Sequence, residues 1–173
     1  MIHAIIVNKT GDPSALRWQS IDTPEPKTGE VTVNTTAVGL NFIDTYHRSG
    51  LYPLPLPTKL GMEGAGLVVD KSSDVNEYEI GDRVAYVMAL GSYSTKRNIE
   101  ANKLVKIPKS ISDQQAAAVL LKGMTVEYLV ERLFKVNNTH TVLFHAVAGG
   151  VGLLACQWLK HLGAKIIGTA GTK

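Results

Sequence analysis

The sequence predicts an α/β protein with a mainly β N-terminal part, and three observations support this prediction. Up to about residue 110, short β-rich runs alternate with Gly and Pro. From Ser112 onwards, apolar residues recur at helical spacing. Near the end of the sequence, a glycine-rich turn separates an apolar run from a further helical pattern. We therefore divide the chain into residues 1–111 and residues 112–173.

Residues 1–111 are predicted to form a small, mostly antiparallel barrel. The predicted strands are the runs HAIIV, EVTVNTTAV, GAGLVV, DRVAYVM and KLVKIP, which are bounded by turn-forming residues. The segment between residues 51 and 61 carries Pro53, Pro55 and Pro57. Because proline fixes φ and lacks an N–H, we expect an extended loop with few backbone donors there.

The second part is predicted to begin with a helix. Ser112 is the expected N-cap, because an acid and two amides follow it in the first turn. A second helical pattern covers residues 125–134. The run TVLFHA, a glycine turn, a helix to about Leu162 and the run KIIGTA (165–170) then predict a βαβ unit that opens a parallel sheet.

Composition narrows the class of protein. The chain is 45% hydrophobic and 19% charged, which is typical of a globular protein. It has no apolar run near the roughly 20 residues of a membrane helix and no signal-like leader, so we expect a cytoplasmic protein. The single cysteine, Cys156, excludes an internal disulfide. Residues 132–173 contain basic but no acidic side chains, which suits either an anionic ligand or simple solvation of element ends.

The glycine turn has two possible interpretations. In the fingerprint G-x-G-x-x-G, glycines permit the turn, the approach of a pyrophosphate and the packing of the helix. Gly149 and Gly152 match two of these positions, and Val147 occupies the third. The position between a strand and a helix favours a phosphate-binding turn, because helix N-terminal N–H groups attract anions. A purely structural turn is the alternative.

Four motifs resemble a known family over the whole chain. AVAGGVGLLACQWLK, GLNFIDTYHRSGLYP, GMEGAG and GDRV are similar to the quinone oxidoreductase, or zeta-crystallin, branch of the medium-chain dehydrogenases/reductases, and most similar to its bacterial NADPH:quinone reductases. The glycine signature of that family is met by Gly149, Gly150, Gly152, Gln157 and Lys160. Val147 departs from the usual small residue, and we expect its side chain to crowd the turn. The resemblance implies a GroES-like catalytic barrel followed by a Rossmann cofactor domain, with the active cleft between them.

The resemblance also predicts that no metal takes part. Zinc-dependent relatives place a Cys, a His and a second Cys at the positions of Asn41, Met62 and Leu121, and none of these three is a competent zinc ligand. The cysteine cluster of a structural zinc lobe is missing too. Hydrogen-bond donors must therefore polarise the substrate carbonyl.

The resemblance assigns the catalytic candidates to one segment. Asn41, Tyr46 and Tyr52 lie in the stretch that lines the family's cleft, where nicotinamide and quinone meet. Tyrosine rings can stack on a quinone, and their hydroxyls can donate to its oxygen; packing at the barrel rim is the alternative. Asp44 is expected to orient its neighbours or cap a short helix, and Glu63 is expected to be structural.

The predicted cofactor is NADPH. The predicted contacts are Asn41, Tyr46, Thr125, Gly149, Gly150, Val151, Gly171, Thr172 and Lys173. Thr125 matches the family position that faces the nicotinamide half, with a helix N-cap as an equal alternative. NAD-preferring units place an acid about 20 residues after the glycines. Here that position is Ala170, the predicted end of the second strand, and the polar residues after it suit a 2′-phosphate.

The resemblance implies an NADPH-dependent, metal-free reductase of quinones or similar electron-poor carbonyl compounds. An enoyl or alkenal reductase is the nearest alternative, and a non-catalytic RNA-binding or structural crystallin-like protein is another. No stripe of Lys and Arg alternates with aromatics, which argues against nucleic acid. A homodimer without membrane contact is implied for the full-length enzyme. Because only the first βαβ unit of a Rossmann domain is present, we expect the chain to be an incomplete fragment without full catalysis.

Overall fold

The computed structural model describes residues 1–171, which form two compact units that divide between Leu120 and Leu121. The strands are β1 (Ile2–Val7), β2 (Arg17–Ile21), β3 (Glu30–Gly39), β4 (Thr58–Lys59), β5 (Glu63–Lys71), β6 (Arg83–Val87), β7 (Lys96–Glu100), β8 (Leu104–Lys106), β9 (Thr141–Phe144) and β10 (Lys165–Gly168). The α-helices are α1 (Phe42–Ser49), α2 (Asp113–Glu127) and α3 (Gly150–His161), and a π-helical segment, Tyr128–Leu133, follows α2.

The first unit contains two antiparallel sheets. One has the strand order β7-β3-β5-β6-β8 and the other the order β2-β1-β4. The segment before β7 joins them, because the Ile5 N–H donates to the Tyr93 carbonyl at 2.8 Å and the Thr35 N–H donates to the Thr95 carbonyl at 2.9 Å. The predicted mainly β, antiparallel N-terminal part is confirmed.

All five predicted strand runs form strands, but β2, the two-residue β4 and β7 were not predicted. β4 lies within the segment 51–61 that was expected to be an extended loop. Most residues of β2 are exposed, and β7 has the sequence KRNIE, so neither shows the alternation of a half-buried strand. β2 pairs with β1, and β7 pairs with β3 across more than sixty residues of sequence. Pairing with a partner strand, adjacent in the chain for β2 and distant for β7, therefore places both strands in the sheets rather than local propensity.

The core of the first unit lies on one face of the larger sheet. Val31 and Val33, which alternate along β3, are fully buried together with Val68, Val84 and Tyr86. Gly66 of β5 is needed in this sheet, because an added Cβ would overlap the backbone of β3 at Asn34. The sheet is thus closely packed where Gly66 of β5 lies against the middle of β3.

Helix α2 begins as predicted. The Gln115 N–H donates to the Ser112 hydroxyl at 3.1 Å, and the Ser112 N–H donates to the Gln115 side-chain oxygen at 2.9 Å. This reciprocal capping confirms Ser112 as the N-cap. The second predicted helix, over residues 125–134, is not separate, because α2 continues directly into its π-helical segment.

The division into compact units falls within α2, between Leu120 and Leu121. The division of the chain into functional domains at residues 111 and 112 stays a prediction. Ala117, near the start of the helix, is buried against Ala65, Ala85 and Ile107 of the first unit. The later part of the helix packs in the second unit, where the buried residues are Val126, Val130, Val136, Ala155 and Leu159. One helix therefore supplies part of two cores.

The second unit is the predicted βαβ arrangement. β9 and β10 pair in parallel, with Val142 opposite Ile166, and α3 connects them. β10 ends at Gly168, so the predicted strand end at Ala170 is two residues too far. The reason is that the Thr169 carbonyl accepts the Val147 N–H of the glycine turn at 2.9 Å instead of continuing the ladder. Within residues 1–171, no helix combines the length and the apolar character needed to cross a membrane.

Candidate functional site

Helix α1 carries the predicted catalytic segment, and both of its ends are capped. Asn41 is the N-cap, and its N–H donates to the Asp44 carboxylate at 2.9 Å. Gly50, with φ of 85°, ends the helix in the left-handed conformation, and its N–H donates to the Tyr46 carbonyl at 3.0 Å. The expectation that Asp44 caps a short helix is confirmed, with the carboxylate acting from the third helical position.

The side-chain amide of Asn41 is held by a buried carboxyl group. The Asn41 Nδ2 donates to Glu63 Oε2 at 2.8 Å, and Glu63 is fully buried at the start of β5. The Glu63 N–H in turn donates to the Ser92 hydroxyl at 3.2 Å. Because the amide NH₂ of Asn41 is the donor to Glu63, the amide oxygen is directed elsewhere.

A tyrosine completes this group of polar side chains. The Tyr93 hydroxyl donates to Asp44 Oδ2 at 2.6 Å, the same oxygen that accepts the Asn41 N–H. Burial raises the pKa of Tyr93 well above its usual value, and the hydrogen bond to Asp44 and the negative charges of Asp44 and Glu63 raise it further. The phenol therefore remains a protonated donor. We call Asn41, Asp44, Glu63, Ser92 and Tyr93 the carboxyl network.

Glycine is required beside this network. Gly39, at the end of β3, is buried, and an added Cβ would overlap both the Glu63 carboxyl group and the Ala117 carbonyl. The backbone of β3 can thus approach Glu63 only because residue 39 has no side chain. The role of Gly39 was not predicted, although Gly39 is the first residue of the motif GLNFIDTYHRSGLYP. Ser92 and Tyr93 were missed because they come from a distant part of the chain and belong to no recognisable motif.

The structure brings Tyr46 and Tyr52 together. Their ring centroids are 5.0 Å apart, and the Tyr52 N–H donates to the Tyr46 carbonyl at 3.2 Å. Phe42 lies edge-on against Tyr46 at 5.2 Å. Tyr52 and Phe42 are 49% and 73% exposed, so this aromatic group has an open face available to a planar molecule. The catalytic roles of Asn41, Tyr46 and Tyr52 remain predictions.

In the second unit, the glycine turn presents backbone donors. Ala146 adopts φ of 53°, and the Gly149 N–H donates to its carbonyl at 2.9 Å. Helix α3 begins at Gly150, so the N–H groups of Gly150 and Val151 belong to its first turn and have no acceptor within the helix. These two groups can donate to an anion, whereas the N–H of Gly149, also predicted to bind cofactor, is engaged within the turn.

Two glycines make room for Val147. An added Cβ on Gly152 would lie 2.5 Å from the Val147 carbonyl oxygen, and one on Gly168 would lie 2.8 Å from Val147 Cγ1. The Val147 side chain therefore lies over Gly168 of β10. The expected crowding of the turn by Val147 is wrong, because the absence of a side chain at Gly168 accommodates it.

Helix α2 supplies two further groups to the second unit. An added Cβ on Gly150 would lie 2.8 Å from Lys122 Cε, so the Lys122 side chain reaches the start of α3. Thr125 lies one turn later inside α2, where its hydroxyl donates to the Leu121 carbonyl at 2.9 Å. The N-cap alternative for Thr125 is therefore wrong. Lys122 was missed, although it stands three residues before Thr125 in the motif KGMTVEY.

The last three residues predicted to contact the cofactor lie at or beyond the end of the described part of the chain. Gly171 is exposed after β10, and Thr172 and Lys173 lie outside the described residues. Across residues 1–171, no three or more His, Cys, Asp or Glu side chains are grouped so that they could hold a metal ion. Metal-free chemistry remains a prediction from the side chains of Asn41, Met62 and Leu121.

These features define the class of protein. Residues 27–130 match the alcohol dehydrogenase GroES-like domain, and the chain belongs to that family. It is similar to quinone oxidoreductases: that of Pseudomonas aeruginosa is 50% identical over 164 residues, which cover 94% of this chain and 50% of the relative. The predicted family resemblance and the GroES-like fold are confirmed.

A solved structure and a second type of reductase show the same similarity. The crystal structure of Escherichia coli quinone oxidoreductase complexed with NADPH superposes with a TM-score of 0.96 at 49% identity, over 98% of this chain and 53% of that chain. The 2-haloacrylate reductase of a Burkholderia species is 39% identical over 181 residues, which cover 100% of this chain and 54% of the relative. The chain thus spans about half the length of the relatives that it matches.

Proposed function

We propose that this chain is the barrel and the first cofactor-binding segment of an NADPH-dependent reductase of quinones or similar electron-poor carbonyl compounds. The observation that carries the proposal is the similarity, over 98% of the chain and with a TM-score of 0.96, to a quinone oxidoreductase complexed with NADPH. The geometry of each unit supports it separately. The first unit offers aromatic and polar side chains, and the second offers a phosphate-binding turn.

The second unit fits the phosphates of a dinucleotide. The N–H groups of Gly150 and Val151, together with the dipole of α3, favour a pyrophosphate. Lys122, whose side chain lies against Gly150, adds a cation to the same helix start. Because residues 132–173 contain no acid that could bind a ribose diol, we propose a preference for NADPH over NADH.

The first unit fits an electron-poor acceptor. A bound reduced nicotinamide supplies the hydride, and the protein must stabilise the negative charge that develops on the acceptor oxygen. Tyr46 and Tyr52 offer hydroxyl donors beside an open aromatic face. Asn41 offers the part of its amide that Glu63 does not engage. We assign binding and charge stabilisation to these three side chains, with Asn41 fixed in orientation before the substrate arrives.

An α,β-unsaturated carbonyl compound is the second candidate substrate. The 39% identity to 2-haloacrylate reductase favours it, because a conjugated acid also gathers charge on oxygen when hydride adds to its double bond. The same donors therefore serve either substrate. A steady-state comparison of quinones, enones and 2-haloacrylates in the enzyme that contains this chain separates the two candidates.

The test of the proposal combines substrates, cofactors and variants of that enzyme. We expect quinone reduction with NADPH, a lower kcat/KM with NADH, and a loss of about tenfold or more in Tyr52→Phe. Tyr128→Phe is the matched control, since Tyr128 is similarly exposed but lies in the π-helical segment.

Lys122→Met should raise the KM for NADPH, whereas Lys165→Met should not. Equal kcat/KM for NADH and NADPH, or an unaffected Tyr52→Phe variant, would contradict the proposal.

A further inference from the structure

We propose that a cavity beside β4 and β7 binds a tetrahedral oxyanion such as phosphate or sulfate. The cavity has a volume of about 290 Å³ and lies within the first unit. Its lining includes two cationic side chains that come from different strands, Lys59 of β4 and Arg97 of β7. None of the groups assigned above to substrate or cofactor lines it.

Among residues 1–171, the guanidinium of Arg97 contacts neutral groups only. Its Nη1 donates to the Ala89 carbonyl at 2.8 Å, its Nη2 donates to the Leu90 carbonyl at 3.0 Å, and its carbon lies 5.1 Å from the centre of the Tyr86 ring. Burial lowers the pKa of Arg97. The two carbonyl oxygens engage only the Nη atoms, and the buried Nε has no hydrogen-bond partner among residues 1–171. The charge of the guanidinium is also left without a counter-ion.

Lys59 places a second positive charge beside the first. Burial lowers the pKa of Lys59, and the charge of Arg97 lowers it further. The two side chains meet at Gly91, where an added Cβ would lie 3.3 Å from Lys59 Cβ and 3.8 Å from Arg97 Nη1. Neither cation forms an ion pair with a carboxylate in the part of the chain that the structure describes. An anion between them would replace repulsion with two attractions.

The rest of the lining contains charges of both signs. Lys27 adds a third cation, and Asp22 and Glu30 are acidic. One oxygen of Glu30 accepts the Lys27 N–H at 2.9 Å. The buried hydroxyl of Thr23 has no hydrogen-bond partner among residues 1–171, and a buried donor without an acceptor is unfavourable. Donors that converge from several directions suit a tetrahedral anion better than a planar carboxylate.

The binding experiment uses the whole chain and inorganic phosphate. Calorimetric titration at constant ionic strength should show saturable binding, and amide NMR shifts should centre on Gly91 and Asn98. Sulfate should compete with phosphate, and acetate should bind more weakly. Binding of phenyl phosphate with equal affinity would identify a phosphate ester as the physiological class, and binding of inorganic phosphate alone would identify the free anion.

The variants decide whether the proposed residues form the site. Lys59→Gln should weaken phosphate binding by about tenfold or more, because it removes a charge-assisted hydrogen bond. Lys109→Gln loses the same charge from an exposed position and should bind as the wild type does. Thermal unfolding without phosphate checks that K59Q is folded. The proposal is overturned if the wild type shows no saturable binding, or if folded K59Q binds phosphate as tightly as the wild type.

Discussion

The carboxyl network of the first unit and the glycine turn of the second position their functional groups by different means. In the network, side chains hold other side chains, as Glu63 holds Asn41 and Tyr93 holds Asp44. In the turn, the backbone makes the contacts: Ala146 is left-handed, and its carbonyl accepts the Gly149 N–H. The first arrangement needs residues from distant segments, whereas the second needs only residues that are close in sequence.

This difference determines what a substitution should do. In the turn, a side chain added to Gly152 would overlap the backbone at Val147. Even one methyl group there should therefore cause a large loss of stability. A change in the network removes one hydrogen bond, and the remaining members limit the loss. Four substitutions test this difference.

Gly152→Ala should have the largest effect. The added Cβ would lie 2.5 Å from the Val147 carbonyl oxygen, so the turn and the first turn of α3 must separate. We expect a loss of about 3 kcal/mol in the free energy of unfolding and at least a tenfold loss in NADPH affinity. Gly11→Ala is the control, because its Cβ would meet only Ala15 at 3.7 Å. Wild-type stability and affinity in Gly152→Ala would show that the turn is not backbone-limited.

Glu63→Met tests the centre of the carboxyl network. It preserves the side-chain volume approximately but removes the acceptor of the Asn41 amide. We expect a loss of about 2 kcal/mol in stability, since a buried donor is left unpaired, together with a lower kcat/KM. Glu63→Gln retains an acceptor oxygen and should recover most of the activity. If the two variants had the same activity, Glu63 would not orient Asn41.

Tyr93→Phe removes a single hydroxyl from the edge of the network. The lost hydrogen bond to Asp44 should lower stability by about 1.5 kcal/mol and should lower kcat/KM as well. Tyr78→Phe is the matched control, because the Tyr78 hydroxyl donates to the Leu104 carbonyl at 2.6 Å outside the network. Chemical denaturation and steady-state kinetics should show a stability loss in both variants and a kinetic loss only in Tyr93→Phe. A kinetic loss of the same size in Tyr78→Phe would contradict this assignment.

Asp113 extends the comparison to the start of α2, where side chains from β3 and β6 position a helix. Burial alone would raise the pKa of Asp113, but the hydrogen bonds from Thr36 and Arg83 and the charge of Arg83 lower it overall. A depressed folded-state pKa adds stability above the unfolded-state value, near 3.9, and this stability is lost as the pH falls through the folded-state pKa.

We therefore expect Asp113→Asn to lose about 1 kcal/mol of stability at neutral pH. The difference from the wild type should shrink below about pH 4, as the wild-type carboxylate becomes protonated. Denaturation midpoints measured between pH 3 and pH 7 give the comparison. A difference that stays constant over this range would show that the charge of Asp113 contributes nothing.

The same contrast explains what could be predicted from the sequence. The βαβ unit, the glycine turn and the capping of α2 by Ser112 depend on neighbouring residues, and each was predicted correctly. The edge strand β7 was missed, because pairing with the distant β3 rather than a local pattern creates it. The effect of Val147 was misjudged for a related reason, since Gly168 lies across the parallel pair, more than twenty residues later.

The candidate site was predicted only in part. The segment that contains Asn41, Tyr46 and Tyr52 was found, but through family resemblance rather than through physical pattern. The partners that hold it, Glu63 and Tyr93, come from β5 and from the loop before β7. A sequence pattern has no local signal for contacts of this kind, because the fold alone brings such residues together.

The Tyr93 hydroxyl also allows the opening rate of the carboxyl network to be measured. Because burial, the hydrogen bond to Asp44 and the neighbouring negative charges raise the pKa of Tyr93 well above its usual value, we expect this phenol to ionise in alkaline solution only when its contact with Asp44 opens. In the unfolded chain a tyrosine ionises near pH 10, so each opening at higher pH is trapped as tyrosinate. After a rapid jump in pH, the slow rise of tyrosinate absorbance that Tyr93→Phe lacks would report the mean rate of those openings. The inverse of that rate is the mean lifetime of the closed contact between Tyr93 and Asp44.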